Sequence, residues 1–343
     1  MQRNHGLDLL KAICSFMVIC IHASFPGLVG KIVIPLTRIA VPIFFMITGY
    51  YYSFTIQRKN EKKQLKKIFL MFVGANLLFF AWFFLKSCFS SNSILTNIRN
   101  IFSMKSILKF VLLNESPFGG HLWYLGAILY VLLIVFIFDR KWGRHKLYPI
   151  VPFLLLADLV FGKYSLLLFG QAIPYILVRN FLCVGLPYFL IGDMLFKYNA
   201  KISLKKAVLL VFCFACTTLF ERAILGAFNL NAERDHYIST TFLAIFVFLL
   251  AIQSNRNRNS KGYDWLCFIG ARLSSSIYIL HPIFITVISK AVGFLSSNTQ
   301  VSVVYSYLAP FVVFVSTIIA SWMLHNVATK VKTKLYSTKN TEI

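Results

Sequence analysis

Two residues on one apolar stretch raise the first chemical question. DLLKAICSFMVICIHASF, from Asp8 to Phe25, is hydrophobic enough to cross a membrane, yet it carries Asp8, Lys11 and His22. Lys11 and His22 are eleven residues apart. At about 3.6 residues per turn, both leave nearly the same face of a helix, ~16 Å apart along its axis. Ser15 lies between them on that stripe, and Asp8 sits one turn below Lys11. A neutral histidine is the natural general base near pH 7. Ionisable groups inside a bilayer are costly and usually face a protein-lined cavity. The stretch reads as a buried polar track with a base near one end. At the other end, Lys11 and Asp8 are either an ordinary interfacial ion pair or a cationic entry for a phosphate-bearing ligand.

Other polar residues interrupt apolar stretches further along. KIVIPLTRIAVPIFFMITGYYYS carries Arg38. A Pro-Gly turn joins it to the first stretch, so the two form an antiparallel hairpin with His22 and Arg38 at similar depth. A buried arginine needs an anionic or carbonyl partner. An acyl oxyanion, a phosphate or a carboxylate would serve; the alternative is snorkelling to headgroups. Pro42 and the Thr48-Gly49 pair are expected to loosen this helix. A later stretch opens with His121-Leu-Trp123-Tyr124, whose Trp123 and Tyr124 also fit interfacial anchors. Arg179 and Asn180 adjoin in another stretch, Glu221 ends the next, and RLSSSIYILHPIF carries His281 before Pro282. That proline would kink its helix.

Composition dictates the elements that must hold these groups. The chain has 343 residues, 58% hydrophobic and 13% charged, whereas soluble domains carry about 25% charged residues. The net charge is +24, but Lys and Arg cluster between apolar stretches, which excludes a nucleic-acid reading. An all-α polytopic membrane protein is predicted. Its ten spans of bilayer length are 6–26, 31–54, 65–87, 121–138, 146–162, 176–196, 205–221, 237–253, 265–289 and 302–327. Basic clusters follow each even-numbered span: Arg58 to Lys67, Arg140 to Lys146, Lys197 to Lys206, Arg256 to Lys261, and Lys330 to Lys339. By the positive-inside rule, both termini are then cytoplasmic. The first span is read as a retained helix rather than a cleaved signal. That topology puts His22, Arg38, His121, Trp123, Arg179, Asn180 and Glu221 toward the outer side, as the lining of one pocket. His281 is a second candidate functional group, near mid-membrane.

Among the connections, SMKSILKFVLL reads as a short interfacial helix, the apolar 162–171 segment as one that dips back, and 222–236 as a polar outer loop. The seven cysteines give no disulfide framework. Cys213 and Cys216, though spaced C-x-x-C, lack a second ligand pair, so no metal is expected. No P-loop, dinucleotide fingerprint, G-x-S-x-G or H-E-x-x-H occurs in a usable context.

HGLDLLKAICSFMVICIHAS, RIAVPIFFMITGYYY, HLWYLGAILY and SIYILHPIF together resemble the membrane acyltransferase-3 family of ten-helix proteins, over nearly the whole chain. The resemblance implies one transmembrane domain, 1–329, and a short basic tail, 330–343. It implies transfer of an acyl group, usually acetyl from cytoplasmic acetyl-CoA, to a hydroxyl of a surface glycan or cell-wall acceptor. The setting would be a bacterial plasma membrane, with the bilayer and that acceptor as partners and a homodimer as a further one. His22 matches the family's catalytic histidine, as base or acyl carrier. Lys11 stands where an arginine is usual, eleven positions earlier. Lysine keeps the charge but loses the bidentate fork. Thr48 stands where serine is frequent. On this reading Lys11 and Asp8 hold the donor, and Arg38 or Arg179 faces the oxyanion. The acceptor would be bound by His121, Trp123, Arg179, Asn180, Glu221 and His281. A related branch forms the membrane half of vancomycin-resistance serine racemases, which makes transport of a small amino acid such as serine the competing function.

Overall fold

The computed structural model describes residues 4–88, 98, 99, 101–231, 233–254, 261–295 and 299–341. Arg256, Arg258 and part of the 86–120 connection lie outside them. Among the described residues there is no strand. In chain order the helices are α1 (His5–His22), α2 (Gly27–Thr37), α3 (Ala40–Gln57), α4 (Glu61–Cys88), α5 (Met104–Leu113), α6 (Trp123–Lys141), α7 (Val151–Ala157), α8 (Ser165–Phe169), α9 (Leu186–Lys197), α10 (Leu204–Ala227), α11 (Ile238–Gln253), α12 (Lys261–Phe268), α13 (Ser274–Leu295) and α14 (Thr299–Thr341). Wide π-turns lead into three of the segments, at Asp158–Lys163, Phe181–Gly185 and Ile269–Leu273. Eight helical stretches among the described residues are long and apolar enough to cross a bilayer. The expected spans 176–196 and 237–253 correspond to the shorter α9, with its preceding π-turn, and α11. The chain is an all-α polytopic membrane protein.

Two compact units divide it: Met1–Ala40 with Leu250–Ile343, and Val41–Leu249. Lipid tails are as apolar as leucine, so helices inside a bilayer associate through close packing rather than water exclusion. Glycines make that packing possible. In the first unit, a methyl on Gly270 would stand 1.7 Å from the Asp8 carbonyl oxygen, and one on Gly6 1.9 Å from that of Ala251. The N-terminal half of α1 is therefore clamped backbone to backbone. Ala12, Ile19 and Ala23 then pack against Ile269, Leu273, Ile277, Ala309 and Val313.

The second unit crosses α3 and α9 in the same way. A methyl on Gly49 would lie 1.9 Å from the Phe189 carbonyl oxygen, and one on Gly192 2.0 Å from that of Met46. Gly49 thus serves packing rather than loosening α3. Thr48 turns its hydroxyl back to the Phe44 carbonyl at 2.9 Å. The expected second span does break, but earlier, at Arg38-Ile39. Pro35 and Pro42 bracket the break, and neither has an N–H for the helical ladder.

Three connections take definite form. Ser103 caps α5 by accepting from the Ser106 N–H at 3.3 Å, and Met104, Leu108 and Leu112 are exposed on that helix. The 162–171 segment becomes the short helix α8, which ends at Gly170 with φ +67°. Residues 330–341, expected as a tail, continue α14.

Candidate functional site

Each unit gathers its own set of candidate residues. In the first, α1 starts firmly. Asn4 accepts from the Leu7 N–H at 3.0 Å and donates to the Ile252 carbonyl at 3.4 Å. Asp8, 4% exposed, pairs with the Lys11 ammonium at 3.3 Å. Lys11 is half-buried, its side chain 22% exposed. Ser15 is buried and donates to the Lys11 carbonyl at 2.8 Å, so its hydroxyl proton serves the helix.

At the other end of α1, His22 is exposed, and its ring centre lies 5.1 Å from that of His281, with the planes tilted by 40°. The two histidines singled out from the sequence therefore meet. His281 is fully buried. Its setting follows from the His-Pro pair. Pro282 cannot donate to the Tyr278 carbonyl four residues back. His281 Nδ1 takes up that carbonyl at 2.7 Å. A carbonyl only accepts, so Nδ1 carries the hydrogen and, in the neutral ring, Nε2 carries the lone pair. The local sequence thus fixes the tautomer of a buried base beside His22. Arg38 caps the C-terminus of α2, half-buried, its N–H 3.4 Å from the Pro35 carbonyl.

In the second unit the set divides. The Arg179 guanidinium lies 4.9 Å above the Trp123 ring, and its Nε is 3.2 Å from Asp235 Oδ2. Trp123 is buried at 6% exposure, which removes it as an interfacial anchor. His121 is buried with its ring edge-on to Phe79, 4.5 Å between centres. Asn180 and Glu221 are occupied by backbone. Asn180 Oδ1 accepts from the Leu182 and Cys183 N–H groups at 2.9 and 3.1 Å, while its amide donates to the Leu177 carbonyl at 2.8 Å. Glu221 accepts from the Ile238 N–H at 2.9 Å, from the Ser239 hydroxyl at 3.2 Å and from the Tyr164 hydroxyl. Burial, reinforced by Glu221, pushes the Tyr164 phenol above its ordinary range, so it stays a donor. Both residues start helical turns: Asn180 the π-turn before α9, Glu221 the helix α11.

Two ionic networks were not anticipated. Asp193, fully buried on α9, accepts from Arg144 at 2.8 Å, from Tyr148 at 2.7 Å and from Ser53 at 3.0 Å. Arg144 also reaches Asp139 at 3.1 Å and Ser53 at 2.7 Å. By sequence alone Arg144 reads as a loop charge. The second network lies where 222–236 was expected as a polar loop. His236 Nδ1 is 2.6 Å from Asp158 Oδ2, both buried, and the buried Lys163 donates to the Arg234 carbonyl. Arg234 in turn holds the carbonyls of Gly162 at 2.8 Å and Ile173 at 2.7 Å. A signal for both was present, because Asp158 and Asp193 are acids within apolar spans. Among the described residues, no three His, Cys, Asp or Glu side chains are grouped to hold a metal ion.

A family model described as an acyltransferase domain matches residues 4–325. The chain belongs to the acyltransferase-3 family. It is 26% identical over 360 residues to a serine/alanine racemase of Enterococcus gallinarum, covering 96% of this chain and 48% of that protein. It is also 26% identical over 327 residues to an amino-acid racemase of Enterococcus faecalis, covering 87% of this chain and 43% of that one. The chain thus spans about half the length of these relatives. No solved structure matches it.

Proposed function

We propose that this family member is a membrane acyltransferase that moves an acyl group, acetyl in the simplest case, from cytoplasmic acyl-CoA to a hydroxyl of an extracytoplasmic glycan or cell-wall acceptor. The observation that carries the reading is α1 itself, with a part-buried cation at one end and an exposed histidine at the other, beside His281. With both termini cytoplasmic, Lys11 faces the donor's compartment. Lys11, backed by Asp8, holds a phosphate of the donor, and the thioester arm extends along the face marked by Ser15 toward His22.

His22 removes the proton from the acceptor hydroxyl as its oxygen forms the new bond to the acyl carbon. The carbon–sulfur bond then breaks, and the thiolate leaves with the proton held by His22. Arg38 faces the tetrahedral oxyanion. His281 stabilises the charged His22 ring through its Nε2 lone pair. In the stepwise variant, His22 carries the acyl group itself between donor and acceptor.

The test is transfer of labelled acetyl from acetyl-CoA to surface glycans by protein in lipid, with His22→Ala beside the wild type. The expected loss is at least a hundredfold, in the range for removal of a general base. No transfer by wild-type protein across a broad acceptor set, or equal transfer by both, would overturn the reading. A second reading, a transport module for a small amino acid, is favoured by the names of the two relatives, each an amino-acid racemase of about twice this length. Uptake of labelled serine into proteoliposomes, with no transfer activity, would select it.

A further inference from the structure

A cleft of about 390 Å³ opens between α5 and the connection that follows it, wholly within the second unit. Lys105, Ser106 and Lys109 line it from α5, with the capping Ser103 at their end, and Glu115 and Ser116 line it from the connection. Its volume falls in the ~300–1,000 Å³ range of small-molecule sites, most of which are walled by apolar side chains. Here two ammoniums, a carboxylate and three hydroxyls converge, so the cleft suits a charged ligand that also carries hydroxyl groups.

The walls are fixed by bonds that do not use the charges of the cleft. Asn114 turns the chain at φ +53°, and its side chain donates to the Trp123 carbonyl and accepts from the Phe181 N–H, both at 3.0 Å. Ser116 donates to Asn76 Oδ1 on α4 at 2.7 Å and accepts from the Phe118 N–H at 3.2 Å. Lys105 and Lys109 are four positions apart, so both leave the same face of α5. Lys105 is exposed, and Ser106 gives its N–H to the cap, which leaves its hydroxyl to donate. Glu115 Oε2 lies 3.7 Å from the Lys109 ammonium, beyond hydrogen-bond reach, and accepts no hydrogen bond among the described residues.

Three features narrow the ligand. Two ammoniums against one carboxylate leave one positive charge, which matches the single negative charge of a phosphodiester; a monoester carries about 1.5 to 2. Glu115 supplies an acceptor for a ligand hydroxyl. The other side of α5 exposes Met104, Ile107, Leu108, Val111 and Leu112 as one apolar arc. On a membrane protein such an arc rests against acyl chains, with the polar face at the level of the headgroups. A lipid phosphate would then meet the lysines while its tails follow the arc.

We propose that this cleft binds a phosphodiester bearing a free hydroxyl, with Lys105, Lys109 and Ser106 on the phosphate and Glu115 accepting from the hydroxyl. Two sources share this chemistry: the polyol headgroup of an anionic phospholipid and a water-soluble glycerophosphodiester. Occupancy does not depend on acyl transfer.

The test is native mass spectrometry of the full chain, exchanged into detergent with equal amounts of phosphatidylglycerol, phosphatidylethanol, phosphatidylcholine and glycerophosphoglycerol. Phosphatidylethanol has the charge without the hydroxyl. Wild type should retain a glycerol phosphodiester about tenfold over phosphatidylcholine, roughly the worth of one charge-assisted contact, and severalfold over phosphatidylethanol. Retained phosphatidylglycerol assigns the site to a lipid headgroup; glycerophosphoglycerol retained in its place assigns it to a free phosphodiester. Lys105→Ala with Lys109→Ala should cut retention about tenfold at an unchanged unfolding temperature, because exposed ion pairs contribute little to stability. Lys62→Ala with Lys66→Ala, in the basic stretch that opens α4, should retain the ligand as wild type does. Glu115→Ala should erase the preference over phosphatidylethanol. No preference over phosphatidylcholine or phosphatidylethanol in wild type, equal retention by wild type and the Lys105→Ala, Lys109→Ala protein, an equal loss in the Lys62→Ala, Lys66→Ala protein, or a hydroxyl preference that survives Glu115→Ala would each overturn the inference.

Discussion

The two units treat buried polarity in opposite ways. Around Asp193 and Asp158 in the second unit, charged side chains interlock with one another and with backbone carbonyls over separations of 5 to 78 residues. In the first, polar groups come in pairs at the two ends of one helix: Asp8 with Lys11, and His22 with His281. An interlocked charge is scaffold, because removing any member strands the others. A part-exposed charge at a helix end can meet a ligand without dismantling such a network. A charged residue in a membrane helix therefore becomes a site candidate only once its exposure is weighed with the network it belongs to.

Substitutions can break or sharpen that contrast. The largest effect is expected at Asp193→Ala, which leaves Arg144 half-buried without its main partner. A loss of about 3–5 kcal/mol is expected for a broken buried pair, read as a steep fall in unfolding temperature and in recovery of folded protein. His22→Ala should do the reverse, abolishing transfer while leaving the unfolding temperature near wild type, because the side chain is exposed. Lys11→Met should raise KM for acyl-CoA about tenfold, roughly the worth of one charge-assisted contact, with little change in kcat. Lys11→Arg should restore it, as a merely structural ion pair would not require. The smallest effect is expected at Asn180→Ala, about 1 kcal/mol in a denaturation curve, the usual cost of a lost helix cap. If acceptor KM moved instead while stability held, Asn180 would return to the binding set.

Much of the fold could be read from hydropathy, since a bilayer permits only helices of bilayer length and apolar surface. The α1 stripe was legible for the same reason, because spacing along one helix is local. The contact of His22 with His281 was not, as its partners are 259 residues apart; each was singled out alone. The backbone bonds of Asn180 and Glu221 were not legible, because capping depends on where a helix starts, and π-turns blur such starts in a uniformly apolar sequence. Arg144 was misread because a basic residue at a membrane edge satisfies the positive-inside pattern whether it faces water or a buried aspartate. A loosening of the second span was expected at Pro42 and the Thr48-Gly49 pair, but Pro35 and Pro42 act jointly and place the break between them, at Arg38.

The clamp of Gly270 onto the Asp8 carbonyl has a consequence for α1 as a gauge. With its lower end pinned, the helix can adjust neither its phase nor its length. One residue inserted between Ser15 and His22 would swing the histidine by about 100° and leave it on the wrong side. Four inserted residues would return it to within about 40° of its original bearing, but ~6 Å too far along the axis. Phase and reach are thus separately adjustable in this one helix, and only a donor arm lengthened to match would recover the second insertion.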